Sequence, residues 1–296
     1  MIAPTERPAD IYSGTVWRGD LEMKIPRTIS LTVFTLATFV FSSATMADHS
    51  WGRYEWKPAS ALLNLELGDN VDSDWDGYLT DARTDWNVSQ VIDATIKTGS
   101  TSGAVCDVAS GNVQVCNADY GNTGWLGIAQ IQVSKGSTIV AGRAKLNDYY
   151  FDQSFYNTPE WRRMVMCQEI AHTFGLDHQD ESFSNANLGT CMDYTSDPTK
   201  GGIVNDHPNL HDYEQLEAMY GDGGGGGGDS VDSGDGGCNP RSPKCNPATS
   251  AGGHAEFGQL VSGHGGIEVF ERDLGNGRKL ITQVTWTLEY ASSHKH

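Results

Sequence analysis

The chain has 296 residues, of which 38% are hydrophobic, and this length suits one sizeable globular domain with a smaller second part. Its 38 acidic residues outnumber its 20 basic residues and give a formal net charge of −18 at pH 7. A surface of that charge repels nucleic acid and anionic membranes, so we expect neither as a partner.

The N-terminal region has the layout of an export signal. A short basic segment begins at Met23, an apolar run extends from Ile29 to Phe41, and small residues continue to Ala47. This order predicts a secretory signal peptide over residues 23–47, and residues 1–22 then precede the true start. A membrane anchor is the alternative, but the apolar run is too short to cross about 30 Å of hydrocarbon comfortably. We therefore expect a secreted protein whose mature part does not bind membranes.

The chain contains six cysteines, all of them after Ala47. An even number of cysteines in an exported chain predicts disulfide bonds. Cys106 with Cys116, and Cys238 with Cys245, would each close a short loop, which leaves two cysteines for a third bond. The order of the cysteines alone also allows other pairings.

An amphipathic helix is predicted in the stretch "WDGYLTDARTDW", where Leu79, Ala82 and Trp86 recur at helical spacing. The acidic run from Asp72 to Gly77 opens like a calcium-binding loop. A full loop of this kind needs an acidic residue at its twelfth position, which is Arg83 here. The run therefore predicts the start of the helix, with calcium binding as the weaker alternative.

Strands and two further helices follow. Residues 88–96 are a strand candidate, and residues 124–148 hold two β-like runs around a Lys-Gly turn. A helix is predicted with Thr158 as its N-cap, Pro159 as its first residue and Gly175 as its C-terminal stop. A last helix, in "HPNLHDYEQLEAMYG", ends at a glycine. This mixture predicts an α+β domain over residues 48–221.

The C-terminal part is predicted to be separate from this domain. Residues 222–250 are a glycine-rich linker that includes the small cysteine loop. Residues 251–296 contain two strand-like runs around a Gly-Asn-Gly turn, which is typical of a β-hairpin. We expect them to form a small β module.

The helix that ends at Gly175 carries residues with metal chemistry. Gln168 and His172 are one helical turn apart on one face, and a chain reversal at Gly175 can bring His178 to the same ion. Glu169 lies on the neighbouring side, where it can hold a water molecule against the metal. Together these residues predict an open three-ligand metal site.

This segment resembles H-E-x-x-H-x-x-G-x-x-H, the zinc-binding signature of the metzincin superfamily of zinc endopeptidases, with Gln168 in place of the first histidine. The stretch "GTCMDYT" is similar to the Met-turn of that family, with Met192 as the turn methionine. Tyr194 falls where some members carry a tyrosine that is implied to stabilise the transition state. The resemblance covers about residues 65–221 and implies a matrixin-like catalytic domain with a twisted sheet, an active-site helix, a Met-turn and a C-terminal helix.

In that family the Met-turn passes beneath the active-site helix. Cys167 is next to Gln168 and Cys191 is next to Met192, so the resemblance implies a disulfide that joins the turn to the helix. Closing this loop would stabilise the fold by roughly 3 kcal/mol on the chain-entropy model. Two buried free thiols are the alternative.

Gln168 leaves three interpretations of the site open. Its amide oxygen binds zinc beside the two histidines, or another group supplies the third ligand, or the protein is a catalytically silent binding protein. The candidates for another ligand are Asp180 first, and then Asp177, His207 and His211. An ionised Glu169 would be costly beside an empty, partly buried site, which favours an occupied metal site with Glu169 as general base.

We therefore predict a secreted, monomeric zinc endopeptidase that acts on protein or peptide substrates. An extended substrate is expected to lie antiparallel along an edge strand such as the run from Ile139 to Leu146.

Overall fold

A computed structural model of the protein describes residues 49–221, 256–264 and 267–293. The predicted signal peptide, the segment before it, the linker and the Cys238–Cys245 pairing lie outside these residues. No helix in the described part of the chain is long and apolar enough to cross a membrane.

Helices and strands are mixed along the chain, in agreement with the predicted α+β class. In chain order they are β1 Leu63–Asn70, α1 Asp76–Trp86, β2 Ile92–Thr98, β3 Val113–Ala118, β4 Trp125–Ser134, β5 Thr138–Asn147, α2 Asp148–Phe151, α3 Pro159–Phe174, α4 Leu210–Tyr220, β6 Gln259–His264, β7 Ile267–Gly275, β8 Arg278–Trp286 and α5 Leu288–Ser293.

The strands form one eight-stranded sheet with the order β2-β1-β3-β5-β4-β8-β7-β6. Strands β2, β1, β3 and β5 are parallel to one another, and β4 pairs antiparallel with β5. The predicted substrate strand, Ile139 to Leu146, belongs to β5. This prediction is wrong, because β5 lies between β3 and β4 and has no free edge. Among the strands before residue 222, β2 and β4 are the two outermost, and β4 is the one that meets the C-terminal strands.

The C-terminal strands do not form a separate module, which corrects the prediction for residues 251–296. The hairpin itself is confirmed, and its turn at Gly275–Gly277 has positive φ at each residue. Strand β8, however, pairs antiparallel with β4 along its length and continues the same sheet. Two physical causes favour this pairing. Without β8, the outward N–H and C=O groups of β4 would be those of an unpaired edge strand. In addition, Ile128 of β4 forms an apolar cluster with Val284 and Trp286 of β8.

Helix α3 packs on β4 and β5 and beside α1. The predicted inward face of α1, formed by Leu79, Ala82 and Trp86, is buried. The Trp86 indole donates a hydrogen bond to the Cys167 carbonyl oxygen, at 3.2 Å. These contacts hold α3 against the sheet at the strand where the C-terminal hairpin joins.

Candidate metal centre

Helix α3 begins and ends where the sequence predicts. The Thr158 hydroxyl accepts a hydrogen bond from the Trp161 backbone N–H at 3.3 Å, and Pro159 opens the first turn. Gly175 ends the helix with φ 96° and ψ 15°. A Cβ at this position would lie 2.2 Å from the Tyr54 carbonyl oxygen. Both the left-handed backbone and the lack of space therefore require glycine.

The reversal at Gly175 brings His172 and His178 together. Their ring centroids are 4.7 Å apart, and the two residues are 0% and 5% exposed. Nδ1 of His172 lies 2.8 Å from the Leu176 carbonyl oxygen, so Nδ1 carries the proton and Nε2 carries the lone pair. The Nε2 atoms of both histidines are buried and have no hydrogen-bond partner within the described part of the chain. Anchored imidazoles with one buried, unpartnered nitrogen are typical of metal ligands.

Burial, followed by the neighbouring His178, lowers the pKa of His172 to about 3. His172 is therefore neutral at physiological pH, as a metal-binding imidazole must be.

Glu169 faces strand β4 and is completely buried. In residues 49–221, 256–264 and 267–293, neither of its carboxylate oxygens finds a hydrogen-bond partner. Burial raises the pKa of this carboxyl to about 8; the Thr285 hydroxyl is near enough to oppose the rise in part, but its hydrogen bond goes to the Gln168 oxygen. Gly127 of β4 gives the side chain its space, because a Cβ at that position would lie 2.5 Å from Glu169 Oε1. Gly127 was not predicted, since nothing in its sequence neighbourhood indicates which helix residue it faces.

Gln168 is completely buried, and both ends of its amide form hydrogen bonds. Nε2 donates to the Cys191 carbonyl oxygen at 2.8 Å. Oε1 accepts from the Thr285 hydroxyl, also at 2.8 Å. These bonds identify the amide oxygen and direct it towards strand β8.

The other candidates for a third ligand form different contacts. Asp180 accepts a hydrogen bond from the Ser182 N–H, Asp177 accepts one from the His178 N–H, His207 pairs with Asp85, and His211 stacks on His49. Within the described residues, no group of three or more His, Cys, Asp or Glu side chains is placed to hold a metal ion. The structure therefore gives no support to a third ligand from these four residues.

The lack of such a group in the described residues also gives no support to the weaker prediction of calcium binding at Asp72 to Gly77. Asp72 instead organises the turn before α1. One carboxylate oxygen accepts from the Asp74 N–H at 3.0 Å, and the other accepts from the Asn117 amide at 2.9 Å. The acidic run is thus explained as the helix start.

The segment resembling a Met-turn lies close to the two histidines. The Met192 carbonyl oxygen accepts from the Gln179 N–H at 2.7 Å, and the Tyr194 ring centroid is 5.4 Å from that of His178. The Cys167–Cys191 disulfide joins this segment to α3, and Cys106–Cys116 is formed as well. Both disulfide predictions that fall on described residues are confirmed.

Strand β8 contributes two residues that the sequence did not point to. Thr285 contacts Gln168, as described above. The Gln283 amide nitrogen lies 2.9 Å from Asp177 Oδ1 and 3.0 Å from Nδ1 of His178. The backbone N–H of Trp286 also donates to the Tyr194 hydroxyl at 3.3 Å. No local sequence signal could have found these residues, because their position depends on the pairing of β8 with β4.

Comparisons with known proteins give little further information. No family model and no curated protein matches the chain. Among solved structures, the chain is similar to High choriolytic enzyme 1, a hatching enzyme zinc-protease from Oryzias latipes (medaka fish). The two sequences are 12% identical, and the match covers 56% of this chain and 94% of that chain with a TM-score of 0.31. A similarity of that size establishes neither a shared fold nor a shared activity.

Proposed function

We propose that this protein is a secreted zinc-dependent endopeptidase. The observation that carries the proposal is the pair of buried imidazoles, His172 and His178, whose Nε2 atoms have no hydrogen-bond partner among the described residues; His172 shares helix α3 with the buried carboxylate of Glu169. Disulfide bonds are typical of exported proteins, and two are formed here, which supports the extracellular location.

The donor set fits a zinc ion. Nε2 of His172, Nε2 of His178 and the amide oxygen of Gln168 would hold it, and imidazole nitrogen and oxygen are both zinc donors. Two buried, unpartnered nitrogens and an unpartnered carboxylate are costly in the absence of a cation. When bound, zinc supplies a positive charge that acidifies water and polarises a carbonyl group.

The protein's own residues then handle the protons. Glu169 takes a proton from the water that attacks the scissile carbonyl carbon, and it passes this proton to the leaving amine. The Tyr194 hydroxyl stabilises the negative charge that develops on the carbonyl oxygen. The Cys167–Cys191 disulfide keeps the segment that carries Tyr194 against the helix that carries Glu169.

One observation favours a second function, that of a catalytically silent secreted binding protein. The Gln168 oxygen already accepts a hydrogen bond from Thr285, and an oxygen in that state is a poorer metal donor.

Hydrolysis of casein by the purified mature protein separates the two functions. We expect zinc-dependent cleavage that Glu169→Ala abolishes and that Glu160→Ala, on the first turn of the same helix, leaves in place. Cleavage that survives Glu169→Ala would exclude the proposed mechanism.

A further inference from the structure

The edge of β4 beside the candidate centre is occupied by the chain's own strand β8. The two strands pair antiparallel from Ser134 opposite Arg278 to Trp125 opposite Trp286. Gly127, the residue that makes space for Glu169, lies directly opposite Thr285. The C-terminal strand therefore runs past the catalytic carboxylate.

Alternate side chains of β8 enter the centre. Thr285 donates a hydrogen bond to the Gln168 oxygen, and Gln283 contacts His178 and Asp177. Val284, between them, belongs to the apolar cluster with Ile128 and Trp286, on the opposite side of the sheet. Two β8 side chains thus contact two of the three proposed ligands.

An extended peptide that binds a sheet edge uses the same groups. It forms main-chain hydrogen bonds with the edge strand and directs every second side chain into the adjoining site. The N–H and C=O groups of β4 cannot pair with β8 and with a substrate at the same time. Occupation of this edge by β8 is therefore mutually exclusive with binding of a peptide beside Glu169.

Resting on the proposed endopeptidase function, we propose that β8 is an internal inhibitor. It occupies the peptide-binding edge of β4 and engages the Gln168 oxygen, and a substrate peptide binds only after β8 has left.

The composition of β8 suits a strand that can leave. Three of its seven buried side chains, Thr282, Gln283 and Thr285, are polar, and the other four are Leu280, Ile281, Val284 and Trp286, so exposing β8 costs less hydrophobic free energy than exposing a strand buried with apolar side chains alone. Strand β7 pairs with the other side of β8, so β8 can leave as part of the hairpin.

The test uses the full chain and two matched changes. The double variant Gln283→Ala/Thr285→Ala removes the contacts of β8 with the centre. The control Thr282→Ala removes a threonine from the same strand that is equally buried but bonds Gln130 on the other face. Thr285→Val, which keeps the shape and removes only the hydroxyl, serves if the double variant does not fold.

The first readout does not depend on catalysis. A fluorescent peptide that copies residues 278–287 is titrated into each form in a Glu169→Ala background, and anisotropy reports binding. We expect about tenfold tighter binding to the double variant, or to Thr285→Val, than to the Thr282→Ala control. Equal binding to the variant and the control would overturn the inhibitor proposal.

The second readout is casein hydrolysis with Glu169 intact. We expect hydrolysis by the double variant to exceed that of the control about tenfold, and the free peptide to inhibit it. Peptide binding without any hydrolysis would leave β8 as the occupant of a binding edge and would refute the endopeptidase function. Equal hydrolysis by all forms would refute the inhibitor and leave the endopeptidase function standing.

Discussion

At position 168 a glutamine amide lies where an imidazole would be a stronger zinc donor. The Cys191 carbonyl oxygen and the Thr285 hydroxyl fix its orientation. The amide oxygen is thus held in place, but it shares its lone pairs with a hydroxyl from the C-terminal strand. We therefore expect zinc to bind more weakly with glutamine at position 168 than with histidine there, but still to bind.

Glu169 makes the stability of the metal-free protein depend on pH. Its carboxyl has a pKa of about 8 in the folded state, against an ordinary value of 4.5. The unfolded chain loses this proton above pH 4.5 while the folded chain keeps it, so stability falls as pH rises from 4.5 to 8. Glu169→Gln is expected to stabilise the metal-free protein by about 3 kcal/mol at pH 7 and to have little effect at pH 4. Urea unfolding after chelation measures this, with exposed Glu214→Gln as control. An identical pH dependence in wild type and Glu169→Gln would contradict the burial argument.

The variant Gly127→Ala tests how closely β4 approaches the Glu169 carboxylate. The added Cβ of Gly127→Ala would lie 2.5 Å from Glu169 Oε1 and 2.6 Å from a Val165 methyl carbon. We expect a loss of about 1–3 kcal/mol in stability from overpacking, together with reduced hydrolysis because Glu169 is displaced. Gly77→Ala is the control, since a Cβ there meets no atom within 4 Å. Equal unfolding midpoints for the two variants would show that the contact is not tight.

Among the elements, the disulfide between α3 and the Met192 segment has a local effect that can be measured. Replacing Cys167 and Cys191 by alanine is expected to lower the free energy of unfolding by about 3 kcal/mol and also to weaken zinc binding. The Cys106→Ala/Cys116→Ala double variant, which opens the bond to β3, should lower stability while zinc binding is kept. Isothermal titration with zinc distinguishes the two. Equal zinc binding by the two double variants would contradict the expected role of the Cys167–Cys191 disulfide in the metal site.

The ends of the elements near the centre were readable from sequence because they depend on local chemistry. Thr158, Pro159 and Gly175 fix α3 through capping and backbone conformation, which act over a few residues. The sequence of strand β1 also indicates a strand, because Leu63, Leu65 and Leu67 alternate with polar residues, and all three are buried.

The position of β8 in the sheet cannot be predicted from the sequence. Its hairpin turn is local, but its pairing with β4 joins residues more than a hundred positions apart, and hydrophobic alternation does not encode the partner strand. For the same reason the sequence could not place Thr285 or Gln283 beside the metal ligands.

On the scale of the whole molecule, the C-terminal strands complete the sheet. A chain that ends at Gly221 would expose the edge of β4 together with Trp125 and Ile128, which are buried against β8 and its neighbours. Such an edge pairs readily with another chain, so we expect the truncated protein to self-associate while the full chain is monomeric. Analytical ultracentrifugation measures this, with deletion of residues 223–228 as a control that keeps β8. A monomeric truncated protein would show that β4 does not need its C-terminal partner.

The zinc content of the mature protein shows whether His172, His178 and Gln168 form a zinc site. The wild type and Gln168→His are purified in parallel, dialysed against a mild chelator and measured by elemental analysis. We expect about one zinc per chain in both proteins. Zinc in the Gln168→His variant alone would contradict it, because Gln168 would then have disabled the site and the silent binding protein would be the better description.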